Sequence, residues 1–312
     1  MVTRGLTRVD LPWGGLARIV AHRAICQSQN TSARGRSSLE GVLFDGRYRI
    51  GEVLGAGGLA VVYAAQDLQL DCPVAVKVLR DTADETLVQR LFREGRAAAR
   101  TRHPGVVTIF GCGSDPDSGQ DYLVMERLAG EDLRGRLDRD GPLSVPSAFR
   151  IGAELLDILI NVHLEGVVHR DIKPTNVFLG QRGRRMDEVR LLDFGVAKHA
   201  DLSSLTQSGE VLGTLGYMSP EQLLGGPVDA RSDLYAFGLL LFECLTTRAL
   251  FSRASWMEQA RHAQQSTPPE VPSMAPEIPT PMAQVIKRCL MPQPADRFPS
   301  AEELLRAWLA TT

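Results

Sequence analysis

Hydrophobic residues in the first part of the chain form short runs separated by polar or glycine-rich turns. The runs are rich in β-branched residues, which is typical of strands in an antiparallel sheet. Residues 87–100 differ, because their apolar positions have helical spacing and Pro104 follows them. This part of the chain is therefore predicted to contain one helix and several strands. The predicted strands cover residues 48–50, 53–54, 61–63, 74–79, 106–110 and 122–125.

Beyond Gly130 the apolar spacing changes to the i, i+3, i+4 pattern of amphipathic helices. The predicted helices cover residues 148–165, 233–245, 282–290 and 301–309. Residues 268–281 contain six prolines, and we expect them to form an extended surface connection. Strands followed by helices indicate an α+β chain with two lobes.

Composition and charge exclude several classes of protein. The 312 residues are 44% hydrophobic, which is enough for a substantial core, and the net charge of -2 argues against wholesale nucleic-acid binding. The five cysteines are scattered without a C-x-x-C pair, which excludes an obvious disulfide framework or zinc site and favours a reducing compartment. No run of about 18 apolar residues occurs, so we expect no membrane span.

Charge is distributed unevenly along the chain. Residues 1–40 carry six arginines and two acidic residues, a net charge of +4, which leaves -6 for the remainder. Because this segment ends in polar and small residues, we predict that residues 1–43 form a flexible basic arm. Residues 44–312 are predicted to form one two-lobed domain, divided into residues 44–128 and 129–312.

Two features of the predicted sheet indicate phosphate chemistry. The turn at residues 54–62 is glycine-rich, so backbone N–H groups can approach phosphate oxygens, although such hairpins also occur for structural reasons. Lys77 lies inside an apolar strand, where burial requires an anion. Glu94 on the predicted helix or a nucleotide phosphate would supply it, whereas on an edge strand Lys77 would extend into solvent.

A loop dense in polar residues carries a sharper signal. Residues 169–176 follow an apolar pair and read HRDIKPTN, a density of charge that indicates function more than packing. Asp171 can accept a hydroxyl proton, Lys173 can bind a phosphate, and Asn176 can offer an oxygen to a hard cation. Asp193 follows a second apolar run and precedes Phe194 and a glycine, which places another carboxylate for Mg²⁺.

In this order the motifs resemble those of the bacterial eukaryotic-like (Hanks-type) serine/threonine protein kinases, over about residues 44–310. The resemblance implies a two-lobed kinase fold, with an antiparallel sheet and one helix in the first lobe and a mostly helical second lobe. Ala60 replaces the third glycine of the family's glycine-rich loop. The motifs are Gly55-x-Gly57, Val74-Ala75-Val76-Lys77, Glu94, His169-Arg170-Asp171, Asn176, Asp193-Phe194-Gly195 and Ser219-Pro220-Glu221.

The resemblance also implies roles for individual residues. The catalytic set would comprise Asp171, Lys173, Lys77, Glu94 and Thr214, with Asp171 accepting the substrate's hydroxyl proton. Asn176 and Asp193 would hold Mg²⁺, or Mn²⁺ in its place. Gly55, Gly57, Gly58 and Lys77 would bind the phosphates of ATP. The adenine would contact Leu54, Val62, Ala75, Met125 as gatekeeper, Glu126 and Leu128 in the hinge, Phe178 and Leu192.

Other matching positions imply specificity, structure and regulation. Lys173 and Thr214 match serine/threonine kinases. Glu221 and Arg297 match a buried ion pair, and Asp233 matches the helix residue that holds the catalytic loop. Arg170 beside the catalytic base requires an anion, which in the family is a phosphorylated activation loop. The hydroxyls for autophosphorylation would be Ser203, Ser204, Thr206 and Ser208.

The expected enzyme is a cytoplasmic, ATP-dependent protein kinase acting on serine and threonine, with no nucleic-acid partner and with a homodimer during autophosphorylation. One alternative is a kinase-like scaffold without activity, although no catalytic residue is missing. Another is a small-molecule kinase of the aminoglycoside or choline type, which would lack the Lys173-Pro174 pair and residues 213–221. The basic arm could also be a binding module.

Overall fold

The computed structural model describes residues 39–80, 85–182, 185–194, 216–251 and 270–311. Most of the predicted arm and all of residues 203–208 lie outside the described residues. The domain boundaries therefore stay predictions. Within the described part, a lobe made mostly of strands precedes a lobe made mostly of helices, so the α+β prediction is confirmed.

The first lobe is a six-stranded antiparallel sheet with one helix. The strand order is β1-β2-β3-β4-β6-β5, so β4, which carries Lys77, has a neighbour on each side. An edge position for Lys77 is therefore wrong. The elements are β1 (Leu43–Phe44), β2 (Tyr48–Ala56), β3 (Ala60–Asp67), β4 (Cys72–Leu79), α1 (Glu85–Arg100), β5 (Ile109–Ser114) and β6 (Asp121–Glu126).

Helix α1 packs against the sheet through its apolar face. Leu91 is buried, and at Gly95 a Cβ atom would lie 2.6 Å from the Leu123 side chain, so glycine permits the close approach of α1 to β6. The strand predicted at residues 106–110 begins later, at Ile109. Val106 and Val107 instead make backbone contacts with Leu191 of the second lobe, so this connection joins the two lobes.

The second lobe combines a small sheet with helices. Its three strands are β7 (Gly130–Asp132), β8 (Val177–Arg182) and β9 (Arg185–Leu191), in that order. The helices are α2 (Leu133–Asp140), α3 (Val145–Leu164), α4 (Pro220–Leu223), α5 (Ala230–Thr246), α6 (Val271–Met274), α7 (Thr280–Cys289) and α8 (Ala301–Leu309). Single turns of 3₁₀ helix occur at Pro174–Asn176 and Pro294–Asp296.

Helix α5 forms the centre of this lobe, because every residue from Ser232 to Thr246 is buried. The buried side chains of α3, α7 and α8 belong to the same core. None of the helices in the described ranges is long and apolar enough to cross a membrane.

The proline-rich segment differs from its prediction. Within the described residues 270–281 the chain forms α6 and begins α7, and Val271, Ala275 and Ile278 are buried. An extended surface connection is therefore wrong here. Proline is compatible with the first turn of a helix, where the missing N–H would have no intrahelical acceptor, and Pro272 and Pro281 occupy such positions.

Candidate active site

The catalytic loop is fixed by one buried carboxylate. Asp233 at the start of α5 is fully buried and accepts hydrogen bonds from the backbone N–H groups of His169 and Arg170, both at 2.8 Å. His163 at the end of α3 lies 2.8 Å from the same carboxylate through Nε2. Burial alone would raise the pKa of Asp233, but the bond to His163 and the neighbouring histidines lower it. The anchoring role expected for Asp233 is therefore present in the structure.

This anchoring holds a strained backbone next to the predicted base. Arg170 has a positive φ of 67°, which L-residues adopt rarely. The Gln222 side chain of α4 donates to the Arg170 carbonyl at 3.1 Å and so adds a third contact to this turn. The backbone before Asp171 is thus held from α5 and α4 together.

Three of the predicted functional side chains meet within the loop. Asn176 donates through Nδ2 to the Asp171 carbonyl at 2.8 Å and to Asp171 Oδ2 at 2.9 Å. Lys173 Nζ lies 3.1 Å from the same Oδ2. Asp171 is buried, so these bonds fix its carboxylate in one orientation while the lysine stabilises its negative charge.

A second cluster connects the two lobes. Lys77 Nζ lies 2.8 Å from Asp193 Oδ1 and 3.6 Å from Glu94 Oε2, and only 14% of the lysine side chain is exposed. Burial would lower the pKa of Lys77, but the carboxylates of Asp193 and Glu94 raise it, so the ammonium is charged at neutral pH. The carboxylate of Asp171 contributes to the same increase, which couples this cluster to the catalytic loop.

Asp193 reaches this cluster from a constrained turn. Its φ is 46°, and the preceding Leu192 is held by the Asn176 carbonyl at 2.9 Å. His169 Nε2 lies 2.9 Å from the Leu192 carbonyl, and its ring packs 4.7 Å from the buried ring of Phe194. The Asp193 carboxylate is therefore positioned by the backbone before it and by the ring after it.

The donor set of Asn176 and Asp193 fits a magnesium ion. Burial would raise the pKa of Asp193, but the Lys77 ammonium lowers it, so the carboxylate is ionised at neutral pH. Both donated bonds of the Asn176 amide go to Asp171, which leaves its oxygen as the atom for a cation. Carboxylate and amide oxygens are the ligands that Mg²⁺ prefers.

Six of the eight residues predicted around the adenine lie on strands, and Leu128 and Leu192 follow strand ends. Ala75 faces Met125 across β4 and β6, and both are buried, while Val62 of β3 faces Lys77. Leu54 at the end of β2 is exposed. Glu126 ends β6, and Leu128 follows it in the hinge. In the small sheet, Phe178 lies on β8, and the partly buried Leu192 directly follows β9. Thr214 lies outside the described residues.

A buried ion pair joins Glu221, the last residue of the predicted Ser219-Pro220-Glu221 motif, to the helices. Arg297 donates to both carboxylate oxygens of Glu221 at 2.8 Å and to the carbonyls of Met291, Pro292 and Arg231. Its side chain has no exposed surface. The expected pair is therefore present, with every arm of the guanidinium bonded.

Two polar networks were not predicted from the sequence. In the hinge, Glu126 accepts from the backbone N–H of Thr108 at 2.7 Å and pairs with the buried Arg190 of β9. In the second lobe, Arg134 of α2 donates to the hydroxyl of Tyr217 at 3.0 Å and pairs with the buried Glu243 of α5.

Comparison with known proteins agrees with this geometry. A model of the protein kinase domain family matches residues 48–309. The serine/threonine-protein kinase pkn3 of Myxococcus xanthus is 39% identical over 264 residues, which cover 82% of this chain and 48% of that protein. The serine/threonine-protein kinase PrkC of Bacillus subtilis is 35% identical over 268 residues, covering 85% and 40%.

Among solved structures, the kinase domain of Mycobacterium tuberculosis PknI is similar, with a TM-score of 0.69 and 27% identity over 88% of this chain and 100% of that one. The chain spans about half or less of the length of the curated relatives it matches.

Proposed function

This chain belongs to the protein kinase domain family, and from that premise we propose that it transfers the γ-phosphoryl group of ATP to serine and threonine hydroxyls of proteins. One observation carries the proposal. Asp171, Lys173 and Asn176 form one bonded cluster on an anchored loop, electrostatically coupled to the cluster of Lys77 and Asp193. A proton acceptor and phosphate-binding cations are therefore held together.

Each side chain has a task that follows from its surroundings. Asp171, fixed by Asn176, is the acceptor for the hydroxyl proton of the substrate. Lys173 contributes positive charge beside it, where charge develops on the transferred group. Lys77 is held charged by Glu94 and Asp193 and binds the nucleotide phosphates.

Asn176 and Asp193 would hold Mg²⁺, with Mn²⁺ as an alternative. When bound, the cation neutralises charge on the phosphates of the nucleotide. We propose serine and threonine as acceptors because Lys173 matches that branch of the family and because the related proteins carry that name. Autophosphorylation within residues 203–208 would activate the enzyme and would require a second copy of the chain when it occurs between molecules.

The same chemistry points to the cytoplasm as the place of action, because ATP is supplied there. The described cysteines, Cys72, Cys112, Cys244 and Cys289, are free thiols, which agrees with a reducing compartment. Fractionation of cells that carry a tagged full-length chain tests this location. Recovery of the kinase module outside the cytoplasmic face of the cell would refute it.

The activity is tested with purified protein, labelled ATP, Mg²⁺ and peptide libraries that contain serine, threonine or tyrosine as the only acceptor. We expect label on serine and threonine, none after chelation of the metal, and a decrease of about 100-fold or more in Asp171→Asn and Lys77→Met. Lys287→Met is the matched control, because this partly exposed lysine pairs with Glu270 at the surface and, among the described residues, has no contact with the predicted site. Equal transfer by wild type and Asp171→Asn would refute the proposed function.

A further inference from the structure

The glycine-rich turn between β2 and β3 is fastened to the end of β4. The turn closes on itself through a hydrogen bond from the Gly57 N–H to the Ala60 carbonyl at 2.8 Å. The backbone N–H of Arg80, directly after β4, donates to the Leu59 carbonyl at 3.0 Å. The strand that carries Lys77 therefore continues into a residue that contacts the turn.

The side chain of Arg80 adds a second contact to this turn. Its Nε and Nη2 atoms both donate to the carbonyl oxygen of Gly57, at 3.1 and 3.0 Å. Two arms of a planar, charged group converge on one acceptor, which defines the direction of that carbonyl more narrowly than one bond would. A Cβ at Gly55 would meet no atom of the described residues within 4 Å, so packing among those residues does not restrict the turn at that position.

Holding this carbonyl fixes more than one atom. The peptide group is planar and trans, so the carbonyl of Gly57 and the N–H of Gly58 point in opposite directions. The described residues contain no cis peptide bond. Arg80 thus restrains the orientation of the whole Gly57–Gly58 peptide, because both groups belong to one planar unit.

We propose that Arg80 is a positioning residue for the phosphates of the bound nucleotide. It acts through the Gly57–Gly58 peptide, while Lys77 in the preceding strand β4 binds the phosphates directly. The inference rests on the proposed function, because it assigns Arg80 to nucleotides that carry phosphates and not to the nucleoside part. Arg80 is exposed, so the contribution is modest and removal does not disturb the core.

The test compares binding of ADP with Mg²⁺ and binding of adenosine, measured by calorimetry, in wild type, Arg80→Met and Arg80→Lys. We expect Arg80→Met to weaken ADP binding about three- to ten-fold, as for loss of a charged hydrogen bond at an exposed site, and to leave adenosine binding unchanged. Arg80→Lys keeps the positive charge and can donate a hydrogen bond, but it lacks the planar guanidinium. Its affinity for ADP therefore falls between those of the wild type and Arg80→Met. The KM for ATP rises by the same factor, while the KM for peptide does not change.

Arg49→Met is the matched control, because Arg49 is exposed on β2 and its side chain has no hydrogen bond or ion pair within the described part of the chain. It removes the same charge far from the turn. Equal weakening of ADP by Arg49→Met, or wild-type ADP affinity in Arg80→Met, would overturn the inference. Equal weakening of ADP and adenosine would also overturn it, because that result indicates a general change of the pocket. Failure of the wild type to bind ADP would instead refute the proposed function.

Discussion

Replacing Arg297 by methionine removes the partner of a buried carboxylate without removing the side-chain volume. In the wild type the guanidinium makes two bonds to Glu221 and three to backbone carbonyls, and it lies 4.8 Å above the ring of Tyr235. Methionine can fill the space beside Tyr235 but cannot donate. Glu221, whose side chain is 9% exposed, then keeps Ser232 as its one hydrogen-bonding side chain among the described residues.

The size of the expected loss in unfolding free energy follows from leaving the Glu221 carboxylate buried without its charged partner. Removing one partner of a buried ion pair costs about 3 to 5 kcal/mol, since the remaining group keeps its desolvation penalty. Three backbone carbonyls lose a donor as well, which places the expected loss at the upper end of that range. For a domain of this size we expect a decrease of about 10 °C in the melting temperature.

The stability difference between the two proteins also depends on pH, and the direction of this dependence follows from the pKa of Glu221. Burial would raise the pKa of Glu221, but Arg297 lowers it below the ordinary value of 4.5. A lowered folded-state pKa means that the pair's contribution to stability is present above about pH 4.5 and is lost as the pH falls through the folded value. In Arg297→Met the effect of burial dominates, so the pKa of Glu221 rises above its ordinary value and protonation removes the buried charge of the mutant. The difference between the two proteins is therefore largest at neutral pH and narrows in acid.

Urea denaturation of Arg297→Met and wild type at pH 7 and pH 5 measures this difference directly. Arg288→Met is the control, because Arg288 also packs over an aromatic ring, that of Phe298, yet has no buried carboxylate partner among the described residues. The double variant Glu221→Gln/Arg297→Met should recover part of the loss, since the amide carries no charge. A loss under 1 kcal/mol at pH 7, or a difference that does not narrow between pH 7 and pH 5, would refute the reasoning.

Two further variants test the anchoring of the loop and the packing of the first lobe. Asp233→Asn weakens the hydrogen bonds to the backbone of His169 and Arg170, so we expect kcat to fall at least about ten-fold. The affinity for ADP, measured by calorimetry, stays unchanged. An unaltered kcat would contradict the anchoring role of Asp233. Gly95→Ala forces a Cβ to within 2.6 Å of Leu123, so we expect about 1 to 3 kcal/mol of destabilisation in thermal unfolding, and a stabilised variant would show that the close packing of α1 is not required.

The catalytic loop was predictable because its chemistry is contiguous in the sequence. Residues 169–176 stand next to one another, and a density of charge after an apolar run is visible without any structure. From the sequence, burial of Lys77 predicts an anionic partner, either Glu94 or a nucleotide phosphate. The position of β4 inside the sheet then excludes the other interpretation, a solvent-exposed lysine on an edge strand. The local sequence pattern thus identifies the functional side chains, whereas the strand order determines whether they are buried or exposed.

The two unpredicted networks show why the remainder needed a structure. Glu126 and Arg190 are 64 residues apart, and Arg134 and Glu243 are 109 apart. The sequence does not show which of these charged residues pair, because no local periodicity connects positions so far apart along the chain. The proline-rich segment failed for a related reason, since proline at a helix start and proline in an extended segment look alike until a buried neighbour such as Val271 is seen.

The burial of α5 on every side has a consequence for synthesis of the protein. A mostly apolar helix that is buried on every side has no face adapted to water, and Ser232 to Thr246 leave the ribosome before α7 and α8, which cover them. During translation the nascent chain therefore presents an uncovered apolar helix for the time needed to make at least the 63 residues that separate Thr246 from Leu309. We expect chaperones to bind this intermediate, and chains that stop before α8 to aggregate while the complete chain folds.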